Sequence, residues 1–293
     1  MTRSGFVALA GRPNAGKSTL LNRLVGQRLA ITSPKAQSTR ERVVGILSDD
    51  SSQIVLLDTP GLLDPQDALH QTMKSAAHRA IADADVVLHL MDARDEATRS
   101  LWEEAGWTGA QPRATVIPVR TKADLLDPIA RARLAATEGA TALISARTGD
   151  GIAELLDRVR GALPESPFLY PADDVSTQSV RFFVAELIRE TALEQLDEEV
   201  PHALACAIEE FRETRTPVYI RAVLYVERES QKRIVIGSGG AQVREIGRRA
   251  RAKVESLVGA QVFLDLWVKV LPNWRRDEAA LRRLGYSTAD SVR

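Results

Sequence analysis

The stretch Gly11-Arg12-Pro13-Asn14-Ala15-Gly16-Lys17-Ser18 decides the fold of the first half of the chain. It follows an apolar run at residues 6–10, which predicts a buried strand, and it precedes a helical pattern at residues 19–25. The spacing G-x-x-x-x-G-K-S/T is typical of a phosphate-binding P-loop, and a strand–loop–helix setting is the context that this motif requires. The alternative is a glycine-rich turn that matches by chance, and the flanking elements argue against it.

Each residue type in this loop suits a bound phosphate chain. The glycines let successive backbone N–H groups point into one concavity, at the positive end of the following helix. Lys17 can reach the β- and γ-phosphates, and the Ser18 hydroxyl can hold Mg²⁺. We therefore expect phosphate contacts from a continuous run of residues, namely Gly11, Arg12, Pro13, Asn14, Ala15, Gly16, Lys17, Ser18 and Thr19.

Length and composition are those of an ordinary globular protein. The 293 residues are enough for two domains with a core each. The single cysteine, Cys206, excludes an intramolecular disulfide and favours a reducing cytoplasm. The first residues lead directly into a predicted strand, so we expect no signal peptide. No apolar run approaches the roughly 18 residues of a membrane span.

The net charge of zero conceals an uneven distribution of charged residues. Residues 173–213 carry 3 Lys/Arg and 11 Asp/Glu, whereas residues 215–276 carry 13 Lys/Arg and 5 Asp/Glu. Such asymmetry indicates a basic binding face beside an acidic element. Two solvated helices of opposite charge are the alternative explanation.

Residues 32–40 form a polar stretch with no helical or strand period between a helix and the strand predicted at residues 43–47. A loop of this length inside a compact domain is usually functional or disordered. In a nucleotide hydrolase it is the place for a switch segment, whose hydroxyl completes the Mg²⁺ shell when the γ-phosphate is present. We choose Thr39 over Ser38 because it lies closer to the following strand.

The strand predicted at residues 53–57 ends in Asp58-Thr59-Pro60-Gly61. An acid at the carboxyl end of a strand beside the P-loop is placed to hold Mg²⁺ through a water. Gly61 can offer an unobstructed N–H to the γ-phosphate and can move away when that phosphate leaves. An ordinary Pro-Gly turn is the alternative.

Two further strands end in residues that suit a guanine base. Thr121-Lys122-Ala123-Asp124 places a carboxylate where it can accept hydrogen bonds from N1–H and N2–H₂, while the Lys122 stem lies along the base. Ser145 and Ala146 follow another strand, and their backbone N–H groups can meet the guanine O6. His89, inside the strand predicted at residues 85–92, is a core histidine rather than a ligand on this interpretation.

Strands alternate with helical stretches at residues 68–82 and 152–163, which predicts a doubly wound α/β domain with its ligand crevice at the carboxyl ends of the strands. We place this domain at residues 1–165. Three prolines in residues 164–171 then indicate a semi-rigid linker, placed at residues 166–178.

The last part of the chain, residues 179–293, has the pattern helix–strand–strand–helix–strand. The stretch Ile236-Gly237-Ser238-Gly239-Gly240 precedes a helix at residues 241–258 and matches the G-x-x-G loop of KH domains, which packs glycines against an RNA backbone. Basic residues flank this loop. The predicted RNA contacts are therefore Lys232, Arg233, Ile236, Gly237, Ser238, Gly239, Gly240, Arg244 and Arg248. Trp274 and Tyr286, farther on, either stack on bases or cap the last strand.

The order of these motifs resembles that of the translation-factor-like GTPases, and the spelling G-R-P-N-x-G-K-S with residues 35–40 resembles the Era family of ribosome-associated GTPases. The resemblance covers nearly the whole chain and implies a P-loop GTPase domain followed by an α+β type II KH domain. It also implies a short helix at residues 231–236, GTP and GDP as ligands, Mg²⁺ held by Ser18, Thr39 and Asp58, and catalytic roles for Lys17 and Thr39. The implied partner is small-subunit ribosomal RNA near its 3′ end, in assembly of that subunit.

The chain departs from related patterns at three places. The family usually has Asn where Thr121 stands, and Asn braces the P-loop and the base, so we expect weaker guanine affinity. Leu62 follows Gly61 where Ras-like proteins have the Gln that orients the attacking water, so we expect slow hydrolysis. The family's G-x-x-G loop usually contains a lysine, whereas this loop has Ser238 and Gly239.

Several possibilities stay open at this point. Asn14 occupies the position with which potassium-stimulated GTPases ligate K⁺, so K⁺ is a candidate second cofactor. We expect a cytoplasmic monomer, with a peripheral membrane contact as an open alternative. A GTPase that regulates protein partners, with the second domain as an adaptor, is one rival, and an RNA-binding module with a vestigial nucleotide site is the other.

Overall fold

The structure is a computed structural model that describes residues 1–33, 35, 37–95, 99–137 and 141–286. It divides into two compact units. One unit comprises residues 1–65 and 73–177, and the other comprises residues 66–72 and the chain from Gln178 onward. Two residues of the predicted switch loop, Pro34 and Ala36, lie outside the described residues, as does the end of the predicted second domain at residues 287–293.

In the described part of the chain, the elements up to Thr177 follow the predicted alternation. In order they are β1 (Arg3–Ala10), α1 (Lys17–Val25), β2 (Val43–Ser48), β3 (Ser52–Asp58), α2 (Ala68–Asp83), β4 (Val86–Asp92), α3 (Leu101–Ala105), β5 (Thr115–Thr121), α4 (Pro128–Thr137), β6 (Ala142–Leu143) and α5 (Ile152–Ala162).

These strands form one sheet in the order β2-β3-β1-β4-β5-β6, in which only β2 runs antiparallel to its neighbour. All residues of β3 and β4 are buried, because helices cover both faces of a mostly parallel sheet. The order places β1 between β3 and β4. The carboxyl ends of these strands therefore meet at one edge, where the P-loop follows β1. This confirms the predicted fold class for the first unit.

Glycines define both ends of α1. Gly16 precedes the helix with φ 91°, and Gly26 follows it with φ 74° and donates its N–H to the Asn22 carbonyl. Both torsions lie in the left-handed region that side chains disfavour, so these positions start and stop the helix abruptly. Helix α1 therefore begins at Lys17, directly beneath the phosphate-binding loop.

The segment predicted as a linker, residues 166–178, lies along the edge of the first sheet up to Thr177. The buried Gln53 amide accepts hydrogen bonds from the N–H groups of Leu169 and Tyr170 and donates to the Tyr170 carbonyl. The Ile46 N–H donates to the Val175 carbonyl, and the Ser176 hydroxyl donates to the Val44 carbonyl. Residues 166–177 therefore belong to the first unit.

In the described part of the chain beyond Gln178, the helices and strands are α6 (Val180–Gln195), β7 (Ala205–Arg212), β8 (Val218–Val226), α7 (Glu229–Ile236), α8 (Ala241–Val258), β9 (Val262–Val270) and α9 (Glu278–Arg283). β7 pairs antiparallel with β8, and β8 pairs parallel with β9. Helices α6 and α8 cover one face of this sheet. Their buried side chains, among them Ile188 and Ile246, pack with Leu224 in a single core. This α+β unit is the predicted second domain type.

Two local predictions differ from the structure. The strand predicted from His202 begins only at Ala205, because Pro201–Ala203 form a 3₁₀ turn. The pattern-based order omitted α7, which lies where the family resemblance placed a short helix. Its run Ile234-Val235-Ile236 is β-branched, and such residues favour strands in isolation, so tertiary packing decides the outcome here.

No helix in the described part of the chain is both long enough and apolar enough to cross a membrane.

Candidate functional site

A cleft of about 1200 Å³ opens at the carboxyl ends of the strands in the first unit. Most of the predicted phosphate and metal residues line it, namely Arg12, Pro13, Asn14, Ala15, Gly16, Lys17, Ser18, Thr19, Thr39 and Gly61, together with Lys122 from the predicted base site. Asp58 and Thr121 are buried and do not line the cleft themselves. Asp124, Ser145 and Ala146 are not part of the cleft lining.

Lys17 lies beneath the P-loop and is almost fully buried. Its ammonium donates to the carbonyl oxygens of Gly11 and Arg12, at 2.9 Å and 2.8 Å. Burial lowers the pKa of Lys17 to about 8, although Asp58 and Glu104 act in the opposite direction. The lysine is therefore a cation held at low hydration, and such a charge interacts strongly with an incoming phosphate.

Ser18, Thr39 and Asp58 converge on one point beside Lys17. The Ser18 hydroxyl donates to Asp58 Oδ2 at 2.8 Å, and the Thr39 hydroxyl lies 2.8 Å from Ser18 Oγ and 3.3 Å from the same carboxylate oxygen. The other oxygen, Asp58 Oδ1, is buried and accepts no hydrogen bond from the residues that the structure describes. Two hydroxyls and a carboxylate are hard oxygen donors, which fit Mg²⁺.

The buried environment of Asp58 disfavours its ionised carboxylate, which a bound cation would stabilise. Burial raises the pKa of its carboxyl to about 6, although Lys17 and the hydrogen bonds from Ser18 and Thr39 lower it. A divalent ion beside this carboxylate would stabilise the ionised form and compensate for its lost hydration.

Gly61 packs directly against the P-loop. A Cβ atom at this position would lie 2.7 Å from the Pro13 nitrogen, so a side chain here would displace the loop. The next N–H, from Leu62, donates to the Gly11 carbonyl at 3.0 Å. The Leu62 side chain is buried with Ala77 and Ile81 and does not line the cleft.

The Thr121 hydroxyl lies 2.8 Å from the carbonyl oxygen of Ala15 and 3.2 Å from that of Met91. The sequence led us to expect that replacement of Asn would weaken the brace between this strand and the P-loop. The hydroxyl instead reaches the P-loop carbonyl itself, so this part of the brace is present.

We predict that Thr121→Val destabilises the first unit by about 1–3 kcal/mol, because the buried Ala15 carbonyl loses its donor. The substitution keeps the shape of the side chain, and GDP affinity should fall with the loosened P-loop. Thr121→Ser retains the hydroxyl and should preserve both properties. Urea unfolding and GDP titration measure these effects, and equal behaviour of the two variants would contradict the brace.

Asp124 and Ser145 are connected by a short hydrogen bond. The Ser145 hydroxyl donates to Asp124 Oδ1 at 2.6 Å, which orients the carboxylate. The Ser145 N–H is already used, since it donates to the Asp150 carbonyl at 2.9 Å. This changes the expectation for guanine O6, because only the Ala146 N–H of the predicted pair is left to meet it.

His89 has the predicted core position. Its ring is buried, and Nε2 lies 2.7 Å from Glu104 Oε2. The other oxygen of Glu104 lies 3.3 Å from Arg12 Nε. A carboxylate thus connects the core histidine to the outer side of the P-loop, a contact that no sequence pattern indicated.

Sequence reasoning also missed charged residues that line the cleft, namely Asp92, Arg94, Asp95, Arg99, Glu104 and Arg147. Asp92 is the last residue of β4, and its position beside Thr121 follows from the register of two parallel strands. A charged residue at a strand end was the available signal, but its partners depend on tertiary pairing.

The second candidate site is the G-x-x-G loop between α7 and α8. Gly237 ends α7 with φ 71° and ψ 172°, and Gly240 starts α8 with φ 79°. A Cβ at Gly237 would lie 2.9 Å from the Gln242 backbone nitrogen, so only glycine fits there. Ser238 and Gly239 form the exposed tip of the loop.

The predicted basic residues surround this loop with different degrees of pairing. Lys232 is half-buried and Arg233 is exposed on α7, next to the half-buried Ile236. Arg244 donates to the Gly239 carbonyl at 2.8 Å. Arg248 is exposed but forms two hydrogen bonds with Glu245 on its own helix. Lys253 of α8 forms an ion pair with Glu194 of α6. Part of the basic charge of α8 is therefore neutralised by the acidic helix α6.

Apolar side chains of β9 lie beside α8, and the sequence analysis did not include them among the candidate site residues. Leu264 and Leu266 are only partly buried against the core, and Leu266 lies 3.8 Å from the position of a Cβ on Gly247.

Trp274, by contrast, is fully buried, donates to the Ala203 carbonyl and stacks on Tyr286. The buried Trp274 ring is therefore not available to stack on a base, and its hydrogen bond is to the turn at Pro201–Ala203.

Comparisons with known proteins match both parts of the chain. Residues 6–120 match the family model described as 50S ribosome-binding GTPase, and residues 199–275 match the KH domain model. GTPase Era of Carboxydothermus hydrogenoformans is 40% identical over 97% of this chain and 98% of its own length. GTPase Era of Nocardioides sp. is 43% identical over 97% of this chain and 96% of its own length.

Two solved structures are similar over almost the whole chain. One is Era in complex with MgGDPNP and nucleotides 1506–1542 of 16S ribosomal RNA, and the other is a point variant of Aquifex aeolicus Era bound to GDP·AlF₄⁻. Each has a TM-score of 0.89 and 37% identity and covers 98% of this chain and 100% of its own. On this similarity along its length, the chain belongs to the Era family of GTPases.

Proposed function

We propose that this GTPase binds GTP with Mg²⁺ in the cleft of the first unit, and that its second unit binds small-subunit ribosomal RNA near the 3′ end during assembly of that subunit. The observation that carries the nucleotide half is the convergence of Ser18, Thr39 and Asp58 beside the buried Lys17. The observation that supports the RNA half is the glycine-rich loop at Gly237–Gly240, in which only glycine fits at Gly237, with its basic surroundings.

In this proposal the residues of the cleft divide the work. Ser18, Thr39 and Asp58 would hold Mg²⁺, which would supply positive charge to the phosphates of the bound nucleotide. Lys17 exchanges its two carbonyl partners for phosphate oxygens and stabilises the charge that develops on them. Gly61 offers its N–H to the γ-phosphate from its position against Pro13.

Slow hydrolysis follows from the position of Leu62. An apolar side chain cannot orient a water molecule, and this one is buried in the core rather than directed into the cleft. The charge stabilisation that speeds hydrolysis must then come from another group. Asn14 lines the cleft with φ 63°, next to the expected phosphates.

We predict that K⁺ supplies this charge and that Asn14 helps to hold it. Turnover should be about tenfold faster in KCl than in NaCl, as expected for one added cation near the transferred phosphate. Asn14→Ala should remove the difference while GDP still binds. Leu62→Met, which conserves the buried volume, serves as the control and should keep the K⁺ response. Identical rates in the two salts would rule out the idea.

The RNA partner is proposed from the family and from the solved structure of a relative, Era, in complex with nucleotides 1506–1542 of 16S ribosomal RNA. Crosslinking the protein to RNA in cells, with and without GTP, tests it. Crosslinks concentrated near the 3′ end of the small-subunit RNA are expected. Crosslinks spread evenly over cellular RNA would contradict the preference for the 3′ end, and an absence of crosslinks would favour the rival in which the second unit is an adaptor for protein partners.

We further propose that the protein is a cytoplasmic monomer. The single cysteine, Cys206, supports a reducing compartment. A peripheral membrane contact stays an alternative, and cell fractionation together with sedimentation of the purified chain tests both points. Co-sedimentation with lipid vesicles would favour that alternative.

A further inference from the structure

Asp92 occupies a central position beside the proposed base site. It is the last residue of β4 and pairs in register with Thr121 on the parallel strand β5. The following N–H, from Ala93, donates to the Thr121 carbonyl at 2.9 Å. Because the register of two buried strands is strongly specified, the Asp92 carboxylate is held next to Lys122.

Both oxygens of Asp92 accept hydrogen bonds from cations. The Arg94 guanidinium donates to Oδ1 at 3.0 Å and to Oδ2 at 2.7 Å, and the Arg94 N–H donates to Oδ1 at 3.0 Å. Lys122 Nζ donates to Oδ2 at 2.8 Å. Partial burial would raise the pKa of Asp92, but these hydrogen bonds outweigh it and hold the pKa far below its usual range.

Lys122 is constrained at both of its ends. Its backbone has φ 60°, a left-handed conformation that fixes where the side chain leaves the strand. Its ammonium is fixed by Asp92, and Lys122 lines the cleft. The alkyl stem between these two points is therefore held as a preformed apolar surface.

The start of the loop after β4, at residues 93–95, is held by a buried arginine. Arg120 is fully buried in β5 and donates to the Asp95 carbonyl at 3.0 Å. The contact ties the backbone that follows Asp92 to the strand that precedes Lys122. The carboxylate and the lysine are thus supported by the same pair of strands.

We infer that Asp92 is a positioning residue for guanine nucleotides, which holds the Lys122 stem flat along the cleft wall as the platform on which the base lies. The inference rests on the proposed placement of guanine between Lys122 and Asp124. A free lysine side chain loses rotamer entropy on being ordered, and the ion pair with Asp92 orders Lys122 before the nucleotide binds. Arg94 shares the carboxylate with Lys122, and Asp95 also acts on the charge of Arg94.

The test is the affinity of the full-length chain and its Asp92→Asn variant for GDP, for IDP and for inorganic tripolyphosphate. We expect GDP and IDP to bind about tenfold more weakly to the variant, which corresponds to the ordering cost of one lysine. Tripolyphosphate has no base and should bind equally to both proteins. In steady-state hydrolysis of GTP, KM should rise by the same factor while kcat is unchanged, because KM equals the dissociation constant when chemistry is slow.

Asp49→Asn provides a matched control. Asp49 is also a hydrogen-bonded carboxylate of the first unit with a lowered pKa, and it pairs with Arg160 away from the cleft. This control should leave all three affinities unchanged. If Asp92→Asn proves poorly folded, Lys122→Met breaks the same bond from the other side, keeps an unbranched stem, and should weaken GDP binding to a similar extent.

A double-mutant cycle separates positioning from general support of the fold. In a Lys122→Ala background, Asp92→Asn should have no further effect on GDP affinity, since the platform is already gone. Additive losses, or an equal loss for tripolyphosphate, would overturn the inference. Failure of the base site itself has a different signature, because Asp124→Asn would then leave the preference for guanine intact.

Discussion

Asp124→Asn is expected to lower the affinity for GTP by at least about 10³-fold and to create affinity for xanthosine triphosphate. The native carboxylate can accept from both N1–H and N2–H₂ of guanine. The Ser145 hydroxyl donates to this carboxylate at 2.6 Å and orients it. The backbone beside Asp124 is held separately, because the Ala123 N–H donates to the Ile144 carbonyl. The amide of Asn keeps one acceptor, its carbonyl oxygen, but its NH₂ group faces a guanine donor, whereas xanthine offers that NH₂ group a carbonyl oxygen at C2.

Competition against a fluorescent GDP derivative measures this change. Asp127→Asn is the matched control, because the same substitution three residues later affects only the start of α4, where Asp127 accepts from the Ala130 N–H at 2.8 Å. The control should retain its preference for GTP. Equal affinity of the native protein for ATP and GTP would show that Asp124 does not select the base.

The nucleotide site could be predicted largely from sequence because its residues follow strand ends in a parallel sheet. The P-loop, Asp58 and the Thr121–Asp124 segment each continue a buried apolar run, so their convergence at one edge follows from the fold class. The contacts between these segments could not be predicted in the same way. Asp92 meets Lys122 only because β4 and β5 pair in one particular register.

The edge of the first sheet gives a second example. Gln53 directly precedes the apolar run at residues 54–57 of β3, and a polar residue at that position does not reveal its partners. Its amide turns out to satisfy the backbone of residues 169 and 170, which are far away in sequence. Long-range pairing of this kind has no local signal, whereas the glycines at the ends of α1 and α8 do, because a left-handed torsion constrains the residue type directly.

Gly240→Asp is expected to weaken binding of a single-stranded 3′ rRNA fragment by at least about 100-fold, since a carboxylate facing a phosphate costs several kcal/mol. Gly240 tests the loop more sharply than Gly237. A side chain at Gly237 would collide with the backbone of Gln242 and would disturb the loop even without RNA. At Gly240 the nearest atom is the mobile end of Arg244, at 3.0 Å, so the fold has room.

A side chain at Gly240 would still strain the backbone, because φ there is 79°. Gly259 provides a control for this strain. Gly259 ends the same helix with φ 71° and open space around its Cα, so Gly259→Asp adds the same charge and the same backbone strain at the far end of α8. We expect this variant to bind RNA normally. Both variants should hydrolyse GTP at the native rate, because the cleft belongs to the first unit.

The uncharged tip of the loop allows the converse experiment. Ser238 is exposed and brings no charge, so Ser238→Lys should tighten RNA binding and increase the salt slope by about 0.7, the value for one added contact to a single strand. Titrations at several salt concentrations measure both quantities. If Gly240→Asp binds as tightly as the native chain and Ser238→Lys leaves the slope unchanged, RNA does not contact this loop. The second unit would then be an adaptor for a protein partner.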